Sequence, residues 1–125
     1  MVCLDRDLRQ LQIRSVRSIV GSIIPIQIAL GEDPWPFGPS MLGGILDIHF
    51  LDRSLFRYFT RSLRSGGYLL IETVGGYGGN YLELPKAGEL RTMLRRTFDL
   101  VVYSEKKVGP REIDAVSVRL LAIKH

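Results

Sequence analysis

The chain has 125 residues, of which 46% are hydrophobic and 24% charged, with one cysteine and a net charge of +4. That length makes one domain, able to bury about two-thirds of the surface its unfolded chain exposes. The lone Cys3 excludes an internal disulfide and fits a reducing, cytosolic setting, no apolar run reaches the length of a membrane span, and the mild positive charge is not the footprint of a dedicated nucleic-acid binder.

Met1 to Leu4 is a short apolar run that reads as a strand ending at Asp5. Charge at Asp5 and Arg6 leaves no room for the apolar segment of a secretory leader. Leu8, Leu11, Val16, Ile19 and Val20 recur at helical spacing and predict a helix over 6–20, closed by Gly21-Ser22. Ile23 to Leu30 is rich in β-branched residues and predicts a strand, with Pro25 marking an edge or a bend. Three prolines and four glycines make 31–44 a loop.

Ile45 to Phe50 is an apolar run that predicts a buried strand. Asp52 is placed to cap a helix whose inner face is Leu55, Phe56, Phe59 and Leu63, and Ser65-Gly66-Gly67 is placed to stop it. Tyr68 to Val74 predicts a second buried strand, and Gly75 to Gly79 a flexible loop. A short amphipathic helix is predicted over 87–96, with Leu90, Met93 and Leu94 inside, followed by strands over 98–103 and 116–123 around a charged turn at Gly109-Pro110. Alternating strands and helices with continuous apolar strands imply a largely parallel sheet covered on both faces. The last two strands have no helix between them and are expected to pair antiparallel.

The block from Ile45 to Leu55, followed by Leu63 to Thr73 with its Ser65-Gly66-Gly67-Tyr68-Leu69-Leu70, resembles the middle of class I S-adenosylmethionine-dependent methyltransferases. Asp33-Pro34-Trp35-Pro36-Phe37, Asn80-Tyr81-Leu82 and Gly88-Glu89-Leu90 resemble a bacterial, tellurite-resistance-type subset of that family. The proline that introduces the Gly-Gly pair in the family is Ser65 here. The resemblance implies an α/β, truncated Rossmann-like sheet, mostly parallel with a C-terminal antiparallel hairpin, forming one partial domain over 1–125. It lacks the family's first strand, Gly-rich turn and first helix. Such a turn lets the backbone approach a ligand and presents a helix N-terminus to an anion. Gly75-Gly76-Tyr77-Gly78-Gly79 does not replace it, because no helix follows at once.

The resemblance makes S-adenosylmethionine the expected cofactor. Asp5 would accept hydrogen bonds from the ribose hydroxyls, although Asp is equally suited to cap the helix predicted after it. Leu30, or Ala29 beside it, stands where the family contacts adenine, with Glu32 and Asp33 nearby as ordinary loop charges.

Methyl transfer asks a protein mainly to position the acceptor and take its proton. Asp47 and His49 alternate on one strand and so share a face, and His49 sits at the carboxyl end, where open α/β sheets bind ligands. His49 and Asp47 are the expected catalytic residues, with His49 as the base and a cofactor contact; a hydrogen-bonded structural histidine is the competing reading. Asp47 in a buried strand needs a partner, for which Arg53 is a candidate. Tyr77 and Tyr81 would flank the substrate, while Trp35 and Phe37 either wall a ligand or close a loop over the core. No metal cluster, Ser-His-Asp arrangement or P-loop is present in the sequence.

The expectation is a cytoplasmic methyltransferase domain acting on a small molecule, complemented by a second chain or a homodimer partner and inactive by itself, with no membrane association. The alternative is a non-catalytic remnant or interaction module. Surface arginines such as Arg57, Arg61, Arg64, Arg91, Arg95 and Arg96 are expected to be solvated helix faces, and a polyanionic partner is the rival use of them.

Overall fold

The structure is a computed structural model that describes residues 2–7, 9, 24–75 and 80–125. Almost all of the helix expected over 6–20, and the loop residues 76–79 with Tyr77, lie outside the described residues. The chain divides into two compact units, Met1–Pro36 and Phe37–His125.

In the first unit, β1 (Val2–Asp5) pairs parallel with β2 (Ile24–Gln27), in register from Val2 with Ile24 to Asp5 with Gln27. Among the described residues both strands are edges of a two-stranded sheet, so Pro25, which has no amide to donate, is tolerated where a central strand would exclude it. The Ile28 amide donates to the Asp5 carbonyl at 2.9 Å and carries the pairing one step further. A tight turn follows: the amides of Glu32 and Asp33 donate to the Ala29 carbonyl, and Gly31 supplies a φ of 88°.

The second unit holds β3 (Leu42–Ile48), α1 (Phe56–Ser62), β4 (Leu63–Glu72), α2 (Glu89–Leu94), β5 (Phe98–Lys107) and β6 (Val116–Lys124). The sheet order is β3-β4-β6-β5. β3 and β4 run parallel, and the other two contacts are antiparallel. The terminal pair is antiparallel as its short connection requires, and β6 folds back between β4 and β5.

Asp52 caps as the sequence indicates: its Oδ1 accepts from the Ser54 amide at 2.8 Å and opens a 3-10 turn, Arg53–Leu55, that leads into α1. The helix stops earlier than Gly66-Gly67. Leu63 is already extended, with φ −70° and ψ 135°, and pairs with Leu42. The ladder then jumps to Gly44 with Tyr68, so 64–67 form a bulge on the β4 side. Gly66, with φ 73°, makes that bend, and a Cβ on Gly67 would lie 2.8 Å from the Arg64 carbonyl oxygen. The two glycines thus bend a strand and do not cap a helix.

Alternation buries one sheet face. Leu69 and Ile71 of β4 stand beside Ala122 and Leu120 of β6, and all four are at most 1% exposed. Phe56 and Phe59 of α1, with ring centroids 5.7 Å apart, and Leu90 and Leu94 of α2 complete this core. Met93, expected inside, is 39% exposed, because one turn of a six-residue helix buries only the Leu90–Leu94 stripe.

The other face departs from the two-sided burial expected. Leu46 is 68% and Tyr68 54% exposed. β3 is an apolar strand at the sheet edge: among the described residues its one hydrogen-bonded neighbour is β4. The opposite edge strand, β5, carries Asp99, Glu105, Lys106 and Lys107 and a register shift between Leu100 and Val102. Among the described residues no helix is long and apolar enough to cross a membrane.

Replacing Leu69, which is fully buried, by alanine is expected to cost about 2–5 kcal/mol in urea unfolding, whereas Leu46→Ala changes stability by about 0.5 kcal/mol or less.

Candidate functional site

The parallel pair β3–β4 directs its carboxyl ends to one side, the side on which open α/β sheets hold ligands. A cavity of about 200 Å³ lies there. One wall is His49, Phe50 and Leu51, the segment that leaves β3. The floor is Thr73, Val74 and Gly75, the segment that leaves β4. Asn80, Tyr81, Glu83 and Leu84 form the facing wall.

His49 is exposed, and its φ of 59° turns the chain out of the strand at this point. Its amide donates to the Glu72 carbonyl at 2.7 Å, so the backbone is fixed as the side chain reaches the cavity. Glu72 is held in turn by Arg119, whose Nε donates to its carboxylate at 2.9 Å across the β4–β6 ladder. Thr73 is buried and closes the floor: its amide donates to the Val118 carbonyl at 2.9 Å, and its hydroxyl accepts from the Val118 amide at 2.7 Å.

Asp47 does not join His49 in the cavity. The alternation that would align them ends at Ile48, before the left-handed turn. Asp47 is 7% exposed, and its Oδ2 has no hydrogen-bond partner among the described residues. Arg53, the partner expected from sequence, turns away to Glu89. Burial, reinforced by the nearby Asp52 carboxylate, pushes the Asp47 carboxyl up to about 7.

In the first unit, Asp5 ends β1 and Leu30 follows β2, so both lie at carboxyl ends of that parallel pair. Asp5 already acts as a turn acceptor, taking the Asp7 amide on Oδ1 at 3.0 Å. A carboxylate oxygen has two lone pairs and Oδ2 adds two more, so the residue retains capacity for a ribose hydroxyl. Asp33 is engaged through Oδ2 with the Ala29 amide at 2.8 Å, and Glu32 pairs with Arg6 at 3.4 Å. Among the described residues no group of three His, Cys, Asp or Glu is placed to hold a metal ion.

Sequence reasoning passes over Thr73 and Glu83 as cavity residues. Neither stands out by a motif of its own, and it is the fold that brings 73–75 opposite 80–84.

No protein-family model matches the sequence, and no curated protein matches it. Solved structures do match. The chain superposes on the (4+2)-cyclase SpnF with a TM-score of 0.70 at 15% identity, covering 98% of this chain and 65% of that one. For a SAM-dependent methyltransferase from Methanosarcina mazei the TM-score is 0.64 at 15% identity, covering 98% and 81%. For 1,6-didemethyltoxoflavin-N1-methyltransferase from Burkholderia thailandensis, solved with bound S-adenosylhomocysteine, it is 0.57 at 17% identity, covering 98% and 60%. The chain therefore has the α/β fold of S-adenosylmethionine-dependent methyltransferases, and it spans about two-thirds of the length of the cyclase.

The raised Asp47 carboxyl sets a pH dependence. The folded state holds the proton up to about pH 7, whereas the unfolded chain releases it near 3.8. Stability therefore falls as pH rises between those values and is level above them. Asp47→Asn is expected to be the more stable protein at pH 8, by on the order of 4 kcal/mol at most, with the advantage vanishing toward pH 4. Unfolding midpoints of both proteins across that range check it; a pH-independent difference would refute it.

Proposed function

We propose that the chain forms part of a class I S-adenosylmethionine-dependent methyltransferase of the tellurite-resistance-type subset, with a small-molecule acceptor in the cavity at the ends of β3 and β4. The observation that carries this reading is the placement of His49 at the carboxyl end of a parallel strand, facing a cavity, in a fold shared with methyltransferases. The motifs from Ile45 to Thr73 and at Trp35-Pro36 favour the subset.

The cofactor, when bound, supplies a methyl group on a cationic sulfur. The roles proposed for this chain are narrower. Asp5 accepts from the ribose hydroxyls, and Leu30 packs on adenine. His49 holds the acceptor and takes its proton as the new bond forms, and it also touches the cofactor. Asp47, whose carboxyl is pushed up to about 7 by burial, acts indirectly on the strand that carries His49 and not as a base. The outer edge of β3 supports a complementing strand from a partner chain or a second copy in the working protein. A cytoplasmic setting fits the single Cys3.

A second reading keeps the fold without the chemistry, since a fold does not fix a function: a non-catalytic remnant or interaction module that does not bind the cofactor.

Thermal unfolding with and without S-adenosylmethionine or S-adenosylhomocysteine separates the two. A ligand present at about 100 times its dissociation constant stabilises the fold by roughly 2.7 kcal/mol, and the midpoint is expected to rise with either one. Asp5→Ala is expected to abolish that rise. His49→Ala leaves most of it and lowers turnover by about 100-fold or more. A cooperative transition indifferent to both ligands would overturn the methyltransferase reading.

A further inference from the structure

The two walls of the cavity come from segments some thirty residues apart, and one side chain joins them. Arg53 follows the His49–Leu51 wall by two residues. Its guanidinium reaches the far segment with both prongs. Nε donates to Glu89 Oε1, while Nη2 donates to Glu89 Oε2 at 3.1 Å and to the Leu84 carbonyl at 3.3 Å. Glu89 is itself held in place. Its Oε2 also accepts from the Lys86 amide at 2.8 Å, and the Arg53 hydrogen bond keeps its carboxyl below the usual carboxylate range.

We propose that Arg53 is a positioning residue for this cavity, setting the distance between the His49 wall and the wall that carries Tyr81 and Leu84. Among the described residues the far wall is also held beyond its end and from behind. The Val116 amide donates to the Pro85 carbonyl at 3.0 Å, and Lys86 bridges to Ala115. Tyr81 is backed by Gly109. That residue has a φ of 73°, and a Cβ on it would lie 2.9–3.1 Å from the ring carbons, so only glycine leaves the ring where it is. A turn bond from the Leu84 amide to the Tyr81 carbonyl at 3.2 Å then couples Tyr81 to the residue whose carbonyl Arg53 holds. The fork matters as well as the charge. Lysine presents one compact ammonium, which can meet Glu89 but not the carboxylate and the Leu84 carbonyl together.

The inference rests on the cavity being a ligand site, and its test needs no ligand. The full chain is labelled with 3-fluorotyrosine, and the Tyr81 fluorine signal is assigned by its loss in Tyr81→Phe. In Arg53→Lys and in Glu89→Gln the Tyr81 signal is expected to shift and broaden. Exchange of the Leu84 amide is expected to speed up by about tenfold. The Tyr68 signal stays in place and the unfolding midpoint moves only a few degrees, as for a part-exposed ion pair. A Tyr81 signal and Leu84 exchange unchanged in both folded variants would show Arg53 to be an ordinary surface ion pair and overturn the proposal. A moved Tyr81 signal in a protein that binds neither S-adenosylmethionine nor S-adenosylhomocysteine would leave the grip standing and remove the methyltransferase reading.

Discussion

β4 is hydrogen-bonded along both edges, parallel to β3 on one side and antiparallel to β6 on the other, and the second unit depends on it. A strand in that position must satisfy two ladders at once, which fixes its register to within one residue. With the register set, Leu69 and Ile71 fall on the side covered by the helices, and Glu72 falls where its carbonyl receives the His49 amide and its carboxylate meets Arg119. The same strand thus builds the core and ends at the floor of the cavity. The bulge at 64–67 absorbs the mismatch between the helix end and the ladder, so Gly66 and Gly67 serve the register.

What can be read in the sequence is local. Asp52 as a cap, the apolar runs of β3 and β4 and the antiparallel ending all follow from neighbours a few residues apart. What cannot be read depends on where an element sits in the sheet. Ile45 to Phe50 has the composition of a central strand, yet among the described residues β3 lies at the edge of its sheet with Leu46 and Ile48 exposed, because composition does not report how many neighbours a strand has. Met93 has helical spacing but falls off the buried stripe of a helix too short to wrap around it.

The cavity is legible in one wall only. His49 stands out as an internal histidine at a strand end, and the structure puts it there, although the left-handed turn separates it from Asp47. The far wall has few marks of its own. Tyr81 is suggested by its motif, but Glu83 is an ordinary loop charge until the fold brings it to the same cavity as Phe50 and Leu51. Arg53 looks like the natural counter-ion for Asp47, six residues away in sequence; Glu89, thirty-six residues away, holds it instead. Pairing at that range is set by the tertiary structure, and the carboxyl it leaves behind is pushed up to about 7.

The two flanks of the sheet differ in how they meet other chains. β5 faces outward with several charged side chains and a broken register, features that discourage a further strand from docking. β3 presents an apolar run whose one charged side chain is turned inward. Among the described residues of the second unit, β3 is therefore the more receptive edge of this sheet. A strand that joins the sheet there, whether in assembly or in aggregation of a concentrated solution, lies next to the turn that carries His49. Association and ligand access then share one border of this sheet.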